Sequence, residues 1–289
     1  MRVALTLRTL CGLTTPEIAR AFLTPEPTIA QRIVRAKRKI REARIPYRVP
    51  PPEALPERLD SVLAVVYLIF NEGYSGTSGA DLVRIDLAEE AIRLGRLLVA
   101  LMPRESEALG LLALMLLHHS RRDARVTADG DLVTLEEQDR ALWDRALIEE
   151  GAALVDRAYA TGTVGGYVIQ ASIAALHATA ERAEDTDWRE IAALYGVLER
   201  IQPSPVVRLN RAGAVAMATV PEQGLALLDD LAGEGVLAGY HLYHAARADL
   251  LRRLGRAAEA AEAYRDALAR CENDVERRYL ERRFREVSG

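Results

Sequence analysis

Apolar residues recur at three- and four-residue spacing along most of the chain, the period of helices with one buried face. Near the N-terminus this pattern predicts three short helices. The first covers about residues 3–11, with Gly12 as its stop. Thr15-Pro16-Glu17 supplies a capping hydroxyl, a proline at the first helical position and a first-turn acid, so a second helix starts there, with Ile18, Ala19 and Phe22 inward. Pro25-Glu26-Pro27 forces a turn, Thr28 caps a third helix, and Ile29, Ile33, Ala36 and Ile40 form its buried stripe. From residue 56 the period predicts consecutive helices over about 56–72, 81–101, 103–121, 134–160, 163–183, 187–201, 204–218, 221–233, 237–254, 257–271 and 273–286. Thr134-x-x-Glu137 and Asp187-x-x-Glu190 read as capping boxes. One interruption, residues 125–133, places two short extended pieces around Asp129-Gly130 and predicts a hairpin. The expected fold class is all-α.

Ile45-Pro46-Tyr47-Arg48-Val49-Pro50-Pro51-Pro52 cannot be helix, because four prolines in seven residues favour a stiff extended segment. It divides the chain into a small helix-turn-helix head at 1–45, a Pro-rich linker at 46–55 and a helical body at 56–289. Charge divides at the same place. Residues 1–48 hold eleven Arg and Lys against three acids; the chain's 38 bases and 42 acids leave 27 and 39 for the rest. A basic head on an acidic body confines a nucleic-acid contact to one end.

On the third helix the face opposite the apolar stripe carries Gln31, Arg32, Arg35, Arg38, Lys39 and Arg41. Gln and Arg can pair bidentately with adenine and guanine edges, while flanking cations hold phosphates. A merely solvated charged face is the plain alternative. Two preceding helices with the right turn punctuation favour the DNA reader.

Leu13-Thr14-Thr15-Pro16-Glu17-Ile18-Ala19 and Thr28-Ile29-Ala30-Gln31-Arg32-Ile33-Val34-Arg35-Ala36-Lys37-Arg38-Lys39-Ile40-Arg41 resemble region four of extracytoplasmic-function sigma factors. The resemblance implies recognition of the −35 promoter element and the RNA polymerase core as partner. It places Gln31 and Arg35, with neighbours Ala30 and Val34, in the major groove. Arg32, Arg38 and Lys39 then contact phosphates or pack the domain, and Thr28 at the helix start completes the DNA-binding set. Such factors also carry region two, so the expectation is the C-terminal part of a longer factor.

Further along, Leu250-Leu251-x-x-Leu254-Gly255-x-x-x-Glu259-Ala260-x-x-x-Tyr264-x-x-Ala267-Leu268 resembles a tetratricopeptide repeat, with a weaker copy beginning at Glu222. Leu68-Ile69-Phe70-Asn71-Glu72-Gly73-Tyr74-Ser75 and Asp139-Arg140-Ala141-Leu142-Trp143-Asp144 resemble the extension of the sigma-factor subgroup that carries such repeats. That resemblance implies an extension regulating transcription initiation.

The body offers little chemistry. Asn71-Glu72-Gly73-Tyr74 opens a Gly/Ser loop at 75–79 that lacks the Lys-Ser/Thr of a Walker loop and reads as an ordinary polar loop. His118 and His119 are adjacent, point to different helix sides and cannot chelate one ion. His177 reads as an interior imidazole. Asp139, Arg140, Trp143 and Asp144 fall on one predicted helix, with Arg140 and Asp144 as an i,i+4 pair and Trp143 as buried anchor. Arg140, Trp143 and Asp144 with Asn71, Glu72, Tyr74, Tyr167 and Gln170 make a candidate groove for a regulatory protein segment or small ligand. No nucleophile–base pair and no carboxylate constellation has convincing spacing, so no enzyme, no cofactor and no metal site is expected. Two cysteines, Cys11 and Cys271, build neither a disulfide framework nor a metal cluster and point to the reducing cytoplasm. The longest apolar runs, 62–70 and 111–117, are too short to span a bilayer. The alternative reading is a stand-alone helix-turn-helix regulator whose helical body senses a ligand or protein partner.

Overall fold

A computed structural model describes residues 2–9, 12–42, 56–74 and 84–289. The predicted linker at 46–55, the Gly/Ser loop at 75–79 and Cys11 lie outside these residues. The regular structure described is helical, as expected. Its elements are α1 (Arg2–Thr9), α2 (Thr15–Ala21), α3 (Glu26–Glu42), α4 (Pro56–Tyr74), α5 (Ile85–Leu101), α6 (Ser106–His119) and α7 (Arg145–Ala160). They continue with α8 (Gly166–Thr179), α9 (Trp188–Ile201), α10 (Pro205–Ala218), α11 (Pro221–Ala232), α12 (His241–Arg253), α13 (Ala257–Leu268) and α14 (Asp274–Ser288).

Helices α1–α3 form the head. Ala4 and Leu7 of α1 meet Leu13, Ile18, Ile29 and Ile33 in one buried cluster. That cluster continues without a break into Leu59, Leu63 and Val66 of α4, so head and body share a core. The first helix ends before Gly12, which sits at φ +72°. The start of α2 falls one residue earlier than predicted. Thr14, not Thr15, is the cap: its hydroxyl accepts from the Glu17 N–H at 3.4 Å, and the Glu17 carboxylate accepts from the Thr14 N–H at 2.6 Å. Thr28 is no cap either. The Pro25 carbonyl already accepts from the Thr28 and Ile29 amides, so α3 begins at Glu26. Phe22 lies past the end of α2 and is 38% exposed. Ile40 lies beyond the reach of α1 and α2 and is 42% exposed, so the buried stripe of α3 reduces to Ile29 and Ile33 with Ala36 half-buried.

In the body most helices pack mainly on their neighbours in sequence, the arrangement of a helical stack, with α8 also packed closely on α6. Its centre is α6, apolar on every face and buried nearly throughout between α4, α5, α7 and α8. A second core joins α10 to α14 around Leu228, Leu251 and Tyr264, and Ile169, Ile191 and Leu198 link α8 to α9.

The predicted helix 134–160 is broken. The Glu137 carboxylate takes both the amide and the hydroxyl of Thr134, Asp139 accepts from the Ala141 N–H to make a 3-10 turn at Arg140–Leu142, and Asp144 caps α7. Local side-chain acceptors outcompete the helix ladder here. Arg140 and Asp144 are therefore not an i,i+4 helical pair. The Asp187 cap is present, its carboxylate accepting from the Glu190 N–H at 3.0 Å at the head of α9. The predicted hairpin is a single antiparallel bridge, Val126 to Leu132, closed by Thr127 N–H to the Asp131 carbonyl at 2.9 Å with Gly130 at φ +80°. Among the described residues no helix is long and apolar enough to cross a membrane.

The α6–α8 contact is backbone against backbone. A Cβ on Gly110 would lie 2.6 Å from the Val168 amide nitrogen, whereas a Cβ on Gly213 in α10 meets nothing within 4 Å. Gly110→Ala is expected to destabilise the protein by about 2–3 kcal/mol, and Gly213→Ala to stabilise it by about 0.5–1 kcal/mol. Urea unfolding of the two variants beside the wild type checks the opposite signs.

Candidate nucleic-acid interface and the buried centre

The head presents α3 outward. Ile29 and Ile33 anchor its inner side against α1 and α2, and Gln31, Arg32, Val34, Arg35, Arg38 and Lys39 are exposed on the outer one. Thr28 and Ala30 are half-buried. Val34 is 66% exposed, which is unusual for a valine on a helix with a core to join. The turn from α2 to α3 places Leu23 at φ +46°, where glycine is the common choice in a helix-turn-helix. Leu23 N–H to the Arg20 carbonyl and Thr24 N–H to the Ala19 carbonyl, both 2.9 Å, hold that turn. The only ion pair described on the outer face is Arg38 with Glu42 at 3.7 Å, exposed on both sides and worth little.

Two ion pairs tie the head to the body from the other side. Arg84, preceding α5, reaches Glu17 at 3.3 Å and the buried Glu72 at 3.7 Å. Arg20 reaches Glu272, between α13 and α14, at 2.5 Å.

Inside the body a cationic centre forms where α4, α6 and the hairpin meet. Arg121 donates to the Tyr74 hydroxyl and Arg125 to the Tyr74 carbonyl. The Arg125 guanidinium lies 3.7 Å from the Tyr74 ring centroid, and His118 is 4.9 Å from the same ring. Burial pushes the Tyr74 phenol up, but Arg121 and Arg125 outweigh it and hold it below its ordinary value. Burial, together with Arg121 and Arg125, keeps His118 well below the usual imidazole range. Arg140 donates to the carbonyls of His177 (2.8 Å) and Ala180 (2.6 Å), closing the C-terminal end of α8, and lies over the Trp143 ring at 4.4 Å. Burial, with Arg121 and Arg140, lowers His177 to about 4. Beside it a cavity of about 240 Å³ opens between the segment that follows the hairpin, the end of α8, the start of α9 and helices α12 and α14, lined among others by Glu136, Arg140, His177, Trp188, Arg253 and Arg283.

The eight residues of the candidate groove fall in several places. Tyr74, Arg140 and Trp143 belong to this cationic centre. Asn71 is half-buried on α4, and Glu72 turns to Arg84. Asp144 caps α7 and pairs with Arg122 at 3.7 Å. Tyr167 packs edge-on against Tyr67 at 5.4 Å, and Gln170 accepts from the Tyr67 hydroxyl at 3.4 Å. The cavity is lined by Arg140 and by none of the other seven. Arg121 and Arg125 are not legible in the sequence as a site, because their partner Tyr74 lies 47 and 51 residues away; the one local signal is the cluster of arginines just after a buried helix.

Residues 1–40 match sigma-70, region 4. Residues 58–159 match a family of unknown function (DUF6596). An uncharacterized protein of Rhizobium meliloti (strain 1021) is 51% identical over 279 residues, covering 96% of this chain. The chain spans 66% of that relative's length. No solved structure matches. The sigma-70 region 4 match is to a promoter-recognition, DNA-binding domain, and it covers the head with its outward α3.

His177 gives the body a pH signature. Unfolded, it takes a proton near 6.5; folded, only near 4. Between those values the native state binds fewer protons, so stability is complete above about pH 6.5 and falls as pH drops toward 4. The urea midpoint is expected to fall from pH 7.5 to pH 5, and to fall less in His177→Gln. An equal slope in both proteins assigns the loss to other groups.

Proposed function

We propose that the chain is the region-four and extension part of an alternative sigma factor of the extracytoplasmic-function type, acting in the cytoplasm. In this reading α3 recognises the −35 promoter element, and the helical body is a tetratricopeptide-like extension that regulates initiation with the RNA polymerase core. The observation that carries it is a coincidence of two facts. The residues matching sigma-70, region 4 are those whose third helix turns Gln31 and Arg35 outward.

Gln31 and Arg35 lie one turn apart on the same face of α3, about 6 Å along its axis, so both can reach base edges in one major groove. The Gln31 amide, donating to N7 and accepting from N6–H, suits an adenine edge, the Arg35 guanidinium, donating to N7 and O6, suits a guanine edge, and the small apolar Ala30 and Val34 suit thymine methyls. Arg32, Arg38 and Lys39 flank them as phosphate contacts, and Thr28 in the first turn adds a hydroxyl where the helix N-terminus attracts phosphate. The boundaries follow the same reading: a reading head at 1–45, a Pro-rich linker at 46–55 and an extension at 56–289.

The acidic body has the charge to cover the basic face, but the docked head leaves that face exposed. The extension therefore presents α3 rather than masking it. A second reading, a regulator whose body senses a small ligand, is favoured by one observation, the cavity of about 240 Å³ beside Arg140 and His177.

Arg35→Ala is expected to weaken binding to a −35 duplex by about 1–3 kcal/mol and to relax specificity at one position. Lys39→Ala should weaken binding to all sequences alike and reduce the log–log salt slope by about 1. Fluorescence anisotropy over a salt series separates the two. In the same assay the double change Arg20→Ala, Arg84→Ala should leave affinity within about threefold, and a rise of about tenfold (~1.4 kcal/mol) would overturn presentation in favour of a clamp.

A further inference from the structure

At the C-terminal end of the stack His241 meets two residues of one later turn, Cys271 and Glu276. His241 opens α12, Cys271 lies in the turn after α13, and Glu276 sits in the first turn of α14. One ligand atom from each lies within 4.8 Å of the other two. The imidazole Nε2 of His241 is 2.9 Å from a Glu276 carboxylate oxygen. His241 and Cys271 are buried and Glu276 is half-buried.

Cys271 and Glu276 are held on a locked turn. The fully buried Asn273 side chain accepts from the amides of Val275 (3.0 Å) and Glu276 (3.1 Å), and Arg277 donates to the carbonyls of Leu268 and Cys271. Two of the three groups are thus fixed relative to each other by backbone, and the third is presented by a separate helix. Preorganisation of this kind is what a metal site needs from its protein.

We propose that His241, Cys271 and Glu276 form a binding site for a thiophilic divalent cation of the Zn2+ type. One thiolate, one imidazole and one carboxylate are all ligands that Zn2+ accepts, and three protein ligands leave the fourth tetrahedral position for water. The sulfur selects against Mg2+ and Ca2+, which take oxygen ligands. With bonds of about 2.0–2.2 Å to nitrogen and oxygen, tetrahedral Zn2+ separates those two atoms by roughly 3.3–3.4 Å. The His241–Glu276 contact has only to open by a few tenths of an ångström. On binding, a Zn–S bond replaces the S–H bond, the thiol proton leaves to solvent, and thiolate and carboxylate together offset the charge of the ion. The site is one residue from Glu272, which holds Arg20 of the head.

The reduced full-length protein titrated with Co2+ tests this. The expected result is a thiolate-to-cobalt charge-transfer band with tetrahedral d–d absorption, saturating at one equivalent and abolished by Zn2+. Cys271→Ser should lose the band and Cys11→Ser keep it. His241→Ala and Glu276→Gln should each weaken Zn2+ binding about tenfold or more, read by competition with a chromophoric chelator. No thiolate band in the wild type, a band that survives Cys271→Ser, or unchanged Zn2+ affinity in both His241→Ala and Glu276→Gln overturns the site. If Cys271→Ser fails to fold, a band kept in Cys11→Ser still assigns the sulfur to Cys271, a band lost there overturns the site, and so does the absence of a band in the wild type.

Discussion

The orientation of the exposed helix α3 rests on α1, a short helix that packs on the rest of the head and on α4 within one core. Leu7 is fully buried among the head residues Leu13, Ile18 and Ile29, and the same cluster runs on into Leu63 and Val66 of α4. Burying a side chain of this size is worth about 1.5–3 kcal/mol. The ion pairs at Glu17 and Arg20 are partly exposed and worth about 0–1 kcal/mol each. Apolar contact therefore seats the head, and the ion pairs set its angle. Because α1 and α2 take up the inner side of α3, the side left over is the basic one.

The body solves a harder electrostatic problem. Arg125 is buried and Arg121 and Arg140 are half-buried at its centre, none of the three in an ion pair among the described residues. An uncompensated buried cation costs several kcal/mol. The structure offsets that cost with carbonyls at the ends of α4 and α8, with the faces of Tyr74 and Trp143, and by keeping His118 and His177 uncharged. Tyr74, at the end of α4, is thereby fixed to α6 and the hairpin at once.

How much of this was legible in the sequence depended on the range of the interaction. Helical period is a local property, so the all-α class and most elements of the body could be read directly. Helix starts are less legible: the α2 cap turns on which of two neighbouring hydroxyls meets the Glu17 amide and falls one residue before Thr15, and α3 starts three residues before the position a Thr28 cap implies, because the Pro25 carbonyl takes the Thr28 and Ile29 amides. The segment from Thr134 to Asp144 was misread as helix because its acids and hydroxyls bond their own backbone, which an apolar period does not reveal. The outward face of α3 was visible because Gln31, Arg35 and Arg38 lie within one helix. The cationic centre and the His241–Cys271–Glu276 trio join residues from separate elements, and no spacing along the chain announces either.

One feature of the head reaches beyond the head. Glu17 is fastened near the beginning of the stack and Arg20 between its last two helices, three positions apart on the same rigid helix. A helix of seven residues is about 10 Å long and does not stretch. Its two fastenings close the stack into a loop, with α2 as the clasp. An opening of the stack that moves Arg84 and Glu272 apart breaks one of these ion pairs, while the apolar contact of α1 with α4 keeps the head seated.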